Sequence, residues 1–238
     1  MPRISVCLAT YNGERYIAKQ LDSILTQLGD DDEVVVSDDS STDRTVEIVR
    51  SYNDSRIKLF PDQKFRSPIF NFENALKHAT GQYVFLSDQD DLWHHDKVKT
   101  ALKSLQSKLI FVSDADIVNE NGDMVQPSFF AVNGSARGIV RNILRNSYLG
   151  CCLALRQEVL RKALPFPKDI PMHDWWIGIV AEVFYHKQVE FCYQPLISYR
   201  RHGNNASPTG SASHYGYYQR FMFRWRLIKG VVQVWSRK

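Results

Sequence analysis

The chain has 238 residues, 44% hydrophobic and 24% charged, enough to bury one sizeable core and ordinary for a globular α/β protein. Its net charge of +4 is uneven: all 26 acidic residues but only 22 of the 30 Lys and Arg precede residue 191, so a body at −4 carries a tail at +8. Cys7, Cys151, Cys152 and Cys192 lie in apolar runs without zinc-site or disulfide-framework spacing, and no stretch has the length of a membrane span or secretory h-region. This predicts a cytoplasmic protein with reduced thiols, neither exported nor integral to a membrane.

In chain order, the apolar run 4–9 predicts a first buried strand delivering the loop 10–13. Tyr16, Ile17, Leu21, Ile24, Leu25 and Leu28 then share one helical face, ending near Gly29. Residues 33–37 predict a second strand, 44–52 a helix, 57–60 a third strand, 61–68 a loop and 71–80 a helix closed by Gly81. The run 83–86 predicts a fourth buried strand, 95–107 a helix, 109–113 a strand, and 117–124 a hairpin turning at Asn121-Gly122. Residues 125–137 read as polar and mobile, 150–155 as a strand, 157–163 as a helix, 177–185 as a helix opened by residues 173–176, and 189–193 as the last strand. Strand, loop and helix alternating, with strands apolar throughout, predict an α/β fold with a mostly parallel central sheet flanked by helices.

The chemistry-bearing residues gather at strand ends. Ser87-Asp88-Gln89-Asp90-Asp91-Leu92-Trp93 follows the fourth strand, so three carboxylates emerge at the carboxyl edge, where open α/β sheets bind ligands. In a turn, Asp88 and Asp90 can face one point and hold a hard divalent cation that bridges a diphosphate. The other reading is a solvated turn capping the next helix through Asp91 or Asp96. The first turn, Thr10-Tyr11-Asn12-Gly13-Glu14, lacks the Gly-x-Gly-x-x-Gly of dinucleotide sites, so phosphate charge must be met another way.

Asp38-Asp39 either caps the next helix or accepts the N3–H of a pyrimidine while approaching its ribose. Asp174 is either an N-cap or a general base, with Trp175 and Trp176 as a dry platform for a sugar face. His202 is either an ordinary surface histidine or a third metal ligand on a closing loop.

In this order, over nearly all of residues 3–205, these pieces resemble family 2 glycosyltransferases of the GT-A fold. The resemblance rests on Ile-Ser-Val-Cys-Leu-Ala-Thr-Tyr-Asn-Gly at the start, Ser-Asp-Asp-Ser-Ser-Thr-Asp, the Asp-x-Asp turn, the His-Asp-Trp-Trp helix start and the late Arg-Arg-His. It implies that Thr10, Tyr11 and Asp39 hold the donor's nucleoside with Asp38 close by, and that Asn12, Gln89 and Arg201 also lie on the donor side. Asp88 would contact ribose or metal, Asp90 would bind Mn²⁺ or Mg²⁺, and His202 would complete those contacts. Asp174 would be the catalytic base, although the family commonly has an acidic pair where His173 precedes it here. Trp175, Trp176, Trp93 and Gly150 would meet the acceptor.

The form Ser-Asp-Gln-Asp-Asp-Leu-Trp looks most like bacterial rhamnosyltransferases and related O-antigen or capsule enzymes. An inverting transfer from dTDP-rhamnose, or of a hexose from a UDP-sugar, to a saccharide carried on a polyprenyl diphosphate is what that likeness implies. Residues 1–203 would form the catalytic domain, divided into a nucleotide-binding half (1–93) and an acceptor-binding half (94–203). Residues 204–238 would add a flexible loop and a basic amphipathic helix, with 203–216 mobile until donor binds and closed over it afterwards.

In that tail Tyr217, Phe221, Trp225, Ile228, Val232 and Trp235 share one helical face flanked by Arg220, Arg224, Arg226 and Lys229. The pattern suits a helix lying in an anionic membrane surface at the inner face of the cell membrane, or one packed on the domain or a partner. Basic residues concentrated there, rather than on a groove-reading element, argue against nucleic acid. A non-catalytic nucleotide-sugar-binding module of the same fold is the alternative, and the base and metal turn together argue against it.

Overall fold

The computed structural model describes residues 3–203 and 216–236. Its strands are β1 (Ile4–Thr10), β2 (Glu33–Asp38), β3 (Ile57–Phe60), β4 (Tyr83–Asp88), β5 (Leu92–Trp93), β6 (Ile110–Val118), β7 (Met124–Gln126), β8 (Leu153–Arg156) and β9 (Val189–Arg200). Its helices are α1 (Ile17–Leu25), α2 (Thr45–Ser51), α3 (Pro68–His78), α4 (Lys97–Leu105), α5 (Phe129–Asn133), α6 (Ile139–Leu144), α7 (Gln157–Ala163), α8 (His173–Phe184) and α9 (Tyr217–Trp235). One sheet runs in the order β3-β2-β1-β4-β8-β6-β9-β5, with β7 paired to β6.

The first half of the sheet is parallel throughout, β3 to β2 to β1 to β4; β1, β2 and β4 are apolar and buried on both faces, as in covered parallel sheets, while the edge strand β3 is half-buried. Beyond it β8 runs antiparallel to both β4 and β6, and β9 returns parallel to β6, so the second half is mixed. Register does the placing. Thr10 pairs with Asp38, and Ala9 with Asp88, so the ends of β2, β1 and β4 deliver their functional residues side by side at one edge. At the far side, β5 pairs with Ile197 and Ser198 of β9, which brings the strand end at Arg200 against the acidic turn.

Three expectations are corrected. Residues 125–137 are ordered as β7 and α5, because Phe129 and Phe130 are buried and Asp114 anchors the segment: its Oδ1 accepts from Phe130 N (2.8 Å) and its Oδ2 from Ser128 Oγ (2.5 Å). The expected strand 150–155 begins only at Leu153, since Gly150–Cys152 forms a 3₁₀ turn. The last strand runs on to Arg200 rather than stopping at 193. The loop expected to close over donor lies, but for Gly203 and Gly216, outside the described residues.

The C-terminal helix α9 buries Leu227, Gly230 and Val234 on the body, while the stripe read from the sequence stays exposed and touches the body at Trp235, whose ring lies 5.6 Å from that of Phe184. Gly230 permits the approach: a Cβ there would stand 2.8 Å from the Trp176 ring and 3.1 Å from Pro167. Among the described residues no helix is long and apolar enough to cross a membrane. Cys7, Cys151 and Cys152 are buried free thiols.

Candidate active site

The β1 turn and the acidic turn are tied together by one side chain. Gln89 Oε1 accepts from Tyr11 N (2.8 Å) and Gln89 Nε2 donates to Tyr11 O (2.9 Å), pairing side-chain amide with backbone as a strand would. Asn12, held at φ 49°, faces the other way: its Oδ1 accepts from Thr42 N (2.8 Å) and its own N–H donates to Ser41 Oγ. Gln89 and Asn12 therefore shape the loop that leaves Tyr11 exposed at the edge. Thr10 is buried and donates to Asp38 Oδ2 (2.7 Å).

Asp38 also takes Ser41 N and Ser41 Oγ, so it fixes the β2 turn. Asp39 Oδ1 and Oδ2 accept from Phe65 N (2.7 Å) and Ser67 N (3.0 Å), which folds the 61–67 loop over the edge and starts α3. Both carboxylates keep acceptor capacity beyond these bonds.

The acidic turn carries three carboxylates with different surroundings. Asp91 points inward, buried, its Oδ1 accepting from Arg200 N (2.9 Å), and burial with the neighbouring Asp90 and Asp88 charges holds it well above the usual carboxylate range. Asp88 is raised to about 8 by burial, then by the Asp90 and Asp174 charges. Asp90 Oδ2 lies 2.7 Å from His202 Nε2, and the His202 ring stacks on Tyr16 at 5.5 Å. Asp88 at the end of β4 thus feels the charges of Asp90, in the following turn, and of Asp174 on α8, and Asp90 is met by His202 from just beyond β9.

Asp174 sits in the first turn of α8, 8% exposed, with Oδ2 accepting from Gly150 N (3.1 Å) and Oδ1 from Trp175 N (2.5 Å). Burial raises its pKa to about 7 despite those bonds. His173 is buried against Phe72 (ring centroids 4.0 Å) with neither ring nitrogen hydrogen-bonded, and burial lowers it to about 3, so it is neutral at physiological pH.

The donor set suits a hard divalent ion. Asp88 and Asp90 offer oxygens, His202 an imidazole, and the clustered negative charge that raises Asp88 is what a cation relieves. Ligand atoms of Asp88, Asp91 and Cys151 also lie within 4.8 Å of one another, but burial holds the Cys151 thiol protonated and a thiol is the wrong donor for such an ion.

Two of the expected acceptor residues are corrected. Trp176 is fully buried with Nε1 donating to Ala163 O (2.9 Å), and Trp93 is buried between Phe85 and the Lys97 ammonium, so both are core side chains, not a sugar platform. Trp175 is partly exposed, its Nε1 donating to Asn142 O (2.6 Å). Arg201 is partly exposed, and its backbone N–H continues the sheet to Val118 O (2.8 Å).

Sequence reasoning missed Arg200, which is buried, with Nε donating to Asp90 O (2.8 Å), Nη1 to Asn119 O and Glu120 O (3.1 Å each), and its guanidinium 4.9 Å from the Tyr16 ring centroid. It also missed Lys97, buried with Nζ on Cys151 O (2.9 Å), and the pair of His94 Nε2 with Asp116 Oδ2 (2.9 Å), in which Asp116 raises His94. The Asp-rich stretch of β6 was the available signal for that pair.

Residues 5–164 match the sequence profile of glycosyl transferase family 2. The dTDP-rhamnosyl transferase RfbG of Shigella flexneri is 30% identical over 83% of this chain and 72% of its own. The UDP-Glc:alpha-D-GlcNAc-diphosphoundecaprenol beta-1,3-glucosyltransferase WfgD of Escherichia coli is 28% identical over 75% of this chain and 70% of its own. Among solved structures, S. aureus TarS 1-349 in complex with UDP-GlcNAc superposes with TM-score 0.71 over 98% of this chain and 69% of that one, at 23% identity, so it speaks to the fold. The fold is GT-A, and the chain belongs to glycosyltransferase family 2 and is a glycosyltransferase acting on nucleotide sugars.

Proposed function

We propose that this glycosyltransferase moves one sugar, with inversion, from a pyrimidine nucleoside diphosphate to a saccharide acceptor carried on a polyprenyl diphosphate. The observation that carries the reading is that the buried Asp174 stands close enough to Asp88 for its charge to raise that carboxyl, with Asp90 and His202 in contact beside it; this supports a base next to a diphosphate-binding metal turn.

Tyr11 and the Asp39 edge receive the base and ribose. Asp90, with Asp88 and His202, would hold Mn²⁺ or Mg²⁺, which when bound neutralises charge on the diphosphate. Asp174, hydrogen-bonded at Oδ2 by Gly150 N, takes the proton from the acceptor hydroxyl as its oxygen attacks the anomeric carbon. The oxygen–carbon bond forms as the bond to the departing phosphate oxygen breaks. Among the described residues the other carboxylates near Asp174, Asp88 and Asp90, are assigned to the metal, which favours one displacement over a covalent intermediate.

A β-linked dTDP-rhamnose gives an α product, and an α-linked UDP-hexose gives a β product. The likeness to RfbG supports rhamnose and the likeness to WfgD supports a UDP-sugar and a lipid-diphosphate acceptor, with action at the inner face of the cell membrane. Calorimetric titration with dTDP, UDP and GDP, with and without Mn²⁺, tests the site. Metal-dependent binding of one pyrimidine diphosphate, lost in Asp90→Ala, is expected, and no binding of any nucleotide would overturn the reading.

A further inference from the structure

The exposed apolar residues that the site does not use are concentrated on two helices. On α9, Tyr217, Phe221, Trp225, Ile228, Val232 and Trp235 are all exposed, the least exposed being Ile228 at 42%. Helical phase puts this stripe on the side away from Leu227, Gly230 and Val234, which seat the helix on the body. On α6, which the sequence reading did not foresee, Val140 is 69% and Leu144 57% exposed. The two helices touch, with Arg224 Nη2 donating to Leu144 O at 3.1 Å.

Charge on this surface has one sign. Arg137, Arg141 and Arg145 bracket α6, and Arg220, Arg224, Arg226 and Lys229 flank the α9 stripe, with no acidic residue in 137–145 or 217–236. Both helices are fixed to α8, the helix that begins with the base. Trp175 Nε1 donates to Asn142 O of α6, and Gly230 of α9 lies against Trp176. The surface is therefore rigidly tied to the acceptor side of the site.

We propose that α6 and α9 together form one membrane-docking surface, taking an anionic lipid bilayer with their apolar side chains in the interface and the exposed cations beside them, Arg137, Arg141, Arg145 and Lys229, at the headgroups. Bulky aliphatic and aromatic side chains ringed by cations match such a surface in both chemistry and sign. A second copy of the chain is disfavoured, because a two-fold contact would set cations against cations. Nucleic acid gains nothing from exposed Val140, Leu144, Ile228 and Val232. The proposal rests on the transferase reading only for its purpose, which is to meet a lipid-carried acceptor where it lies.

The test is co-sedimentation of the full chain with vesicles of phosphatidylglycerol and phosphatidylcholine, against phosphatidylcholine alone, at low and high salt. We expect binding to the anionic vesicles, weakened by salt, and a loss of roughly tenfold or more in each of two variants, V140E/L144E on α6 and F221S/W225S on α9. These side chains are exposed, so unchanged melting and an unchanged transfer rate to a short water-soluble acceptor confirm intact variants. Wild-type protein that ignores anionic vesicles, an α6 variant that binds like wild type, or a dimer in light scattering that either variant dissolves would each overturn the proposal. Transfer without vesicle binding rejects the surface and leaves the transferase reading standing. Vesicle binding without nucleotide binding does the reverse.

Discussion

Gly150 and Asp174 are in direct contact: the Gly150 N–H donates to Asp174 Oδ2 at 3.1 Å, and a side chain added at 150 would press on the neighbouring His173 ring. A Cβ at position 150 would stand 3.0 Å from His173 Nε2, closer than most side chains approach, and in ordinary contact with Asp174 Cβ at 3.5 Å. Gly150→Ala must make the His173 ring give by a few tenths of an ångström, and we expect the first turn of α8, where Asp174 sits, to shift with it. Because a base works only at hydrogen-bond reach, kcat should fall between about tenfold and a hundredfold, while donor KM changes little. A variant with wild-type kcat would mean that the His173 ring takes up the added methyl and Asp174 stays in place.

Asp174→Asn should lower kcat by roughly 10²- to 10⁴-fold and leave metal-dependent nucleotide binding in place. In the wild type the base must be ionised, and burial puts its pKa at about 7, so kcat/KM should rise with pH to a plateau above about 7. A profile already flat from pH 5 upward would sink the assignment.

The same shift makes a stability prediction of opposite flavour. Folded Asp174 keeps its proton between the unfolded carboxylate value and about 7, so the folded state binds more protons in that window and wild-type stability falls as pH rises through it. Asn carries no such cost. Asp174→Asn should therefore melt near wild type at pH 4 and above it at pH 8, by at most roughly 4 kcal/mol. Calorimetric melts at the two pH values decide it, and a variant less stable at pH 8 would mean that the bonds from Gly150 and Trp175 outweigh the burial.

How much of this was legible beforehand follows from what the residues can say alone. The apolar runs of β1, β2 and β4 announced buried parallel strands, and parallel register then obliges Thr10, Asp38 and Asp88 to share an edge. Trp93 and Trp176 could not be told from a sugar platform, because an indole beside a carboxylate looks the same whether it faces the site or the core. Arg200 and Arg201 show the limit set by alternation: neighbours on a strand point to opposite sides, and only the pairing with β6 decides which one enters the turn. The α9 helix has apolar residues on more than one face, and the larger stripe is the one left in solvent.

Gln89 gives a prediction about the loop rather than the chemistry. Its amide makes both bonds between the acidic turn and Tyr11, and a Cβ on Gly13 would collide with it at 2.4 Å. Gln89→Ala should leave the fold intact, since the residue is partly exposed, but release the loop that presents Tyr11. Donor KM should rise by about tenfold with kcat within a few-fold of wild type, the loss of two bonds that each contribute about 0.5–1.5 kcal/mol. A change confined to kcat would place Gln89 in the chemistry instead.

Arg200 holds the acidic turn through Asp90 O and ties it to the β6–β7 turn through Asn119 O and Glu120 O, while its backbone N–H meets Asp91. These bonds use the planar fork of a guanidinium, which an ammonium cannot reproduce, so Arg200→Lys is not conservative here. The buried Asp90 carbonyl left without its donor should destabilise the protein by about 1–3 kcal/mol, read as a lower midpoint in urea. The turn carries Asp90, so nucleotide affinity in the presence of Mn²⁺ should fall further than affinity without it. Equal losses with and without metal would mean that Arg200 supports the sheet edge alone, and a variant as stable as wild type would mean that the turn is held by Asp91 and the β5 pairing.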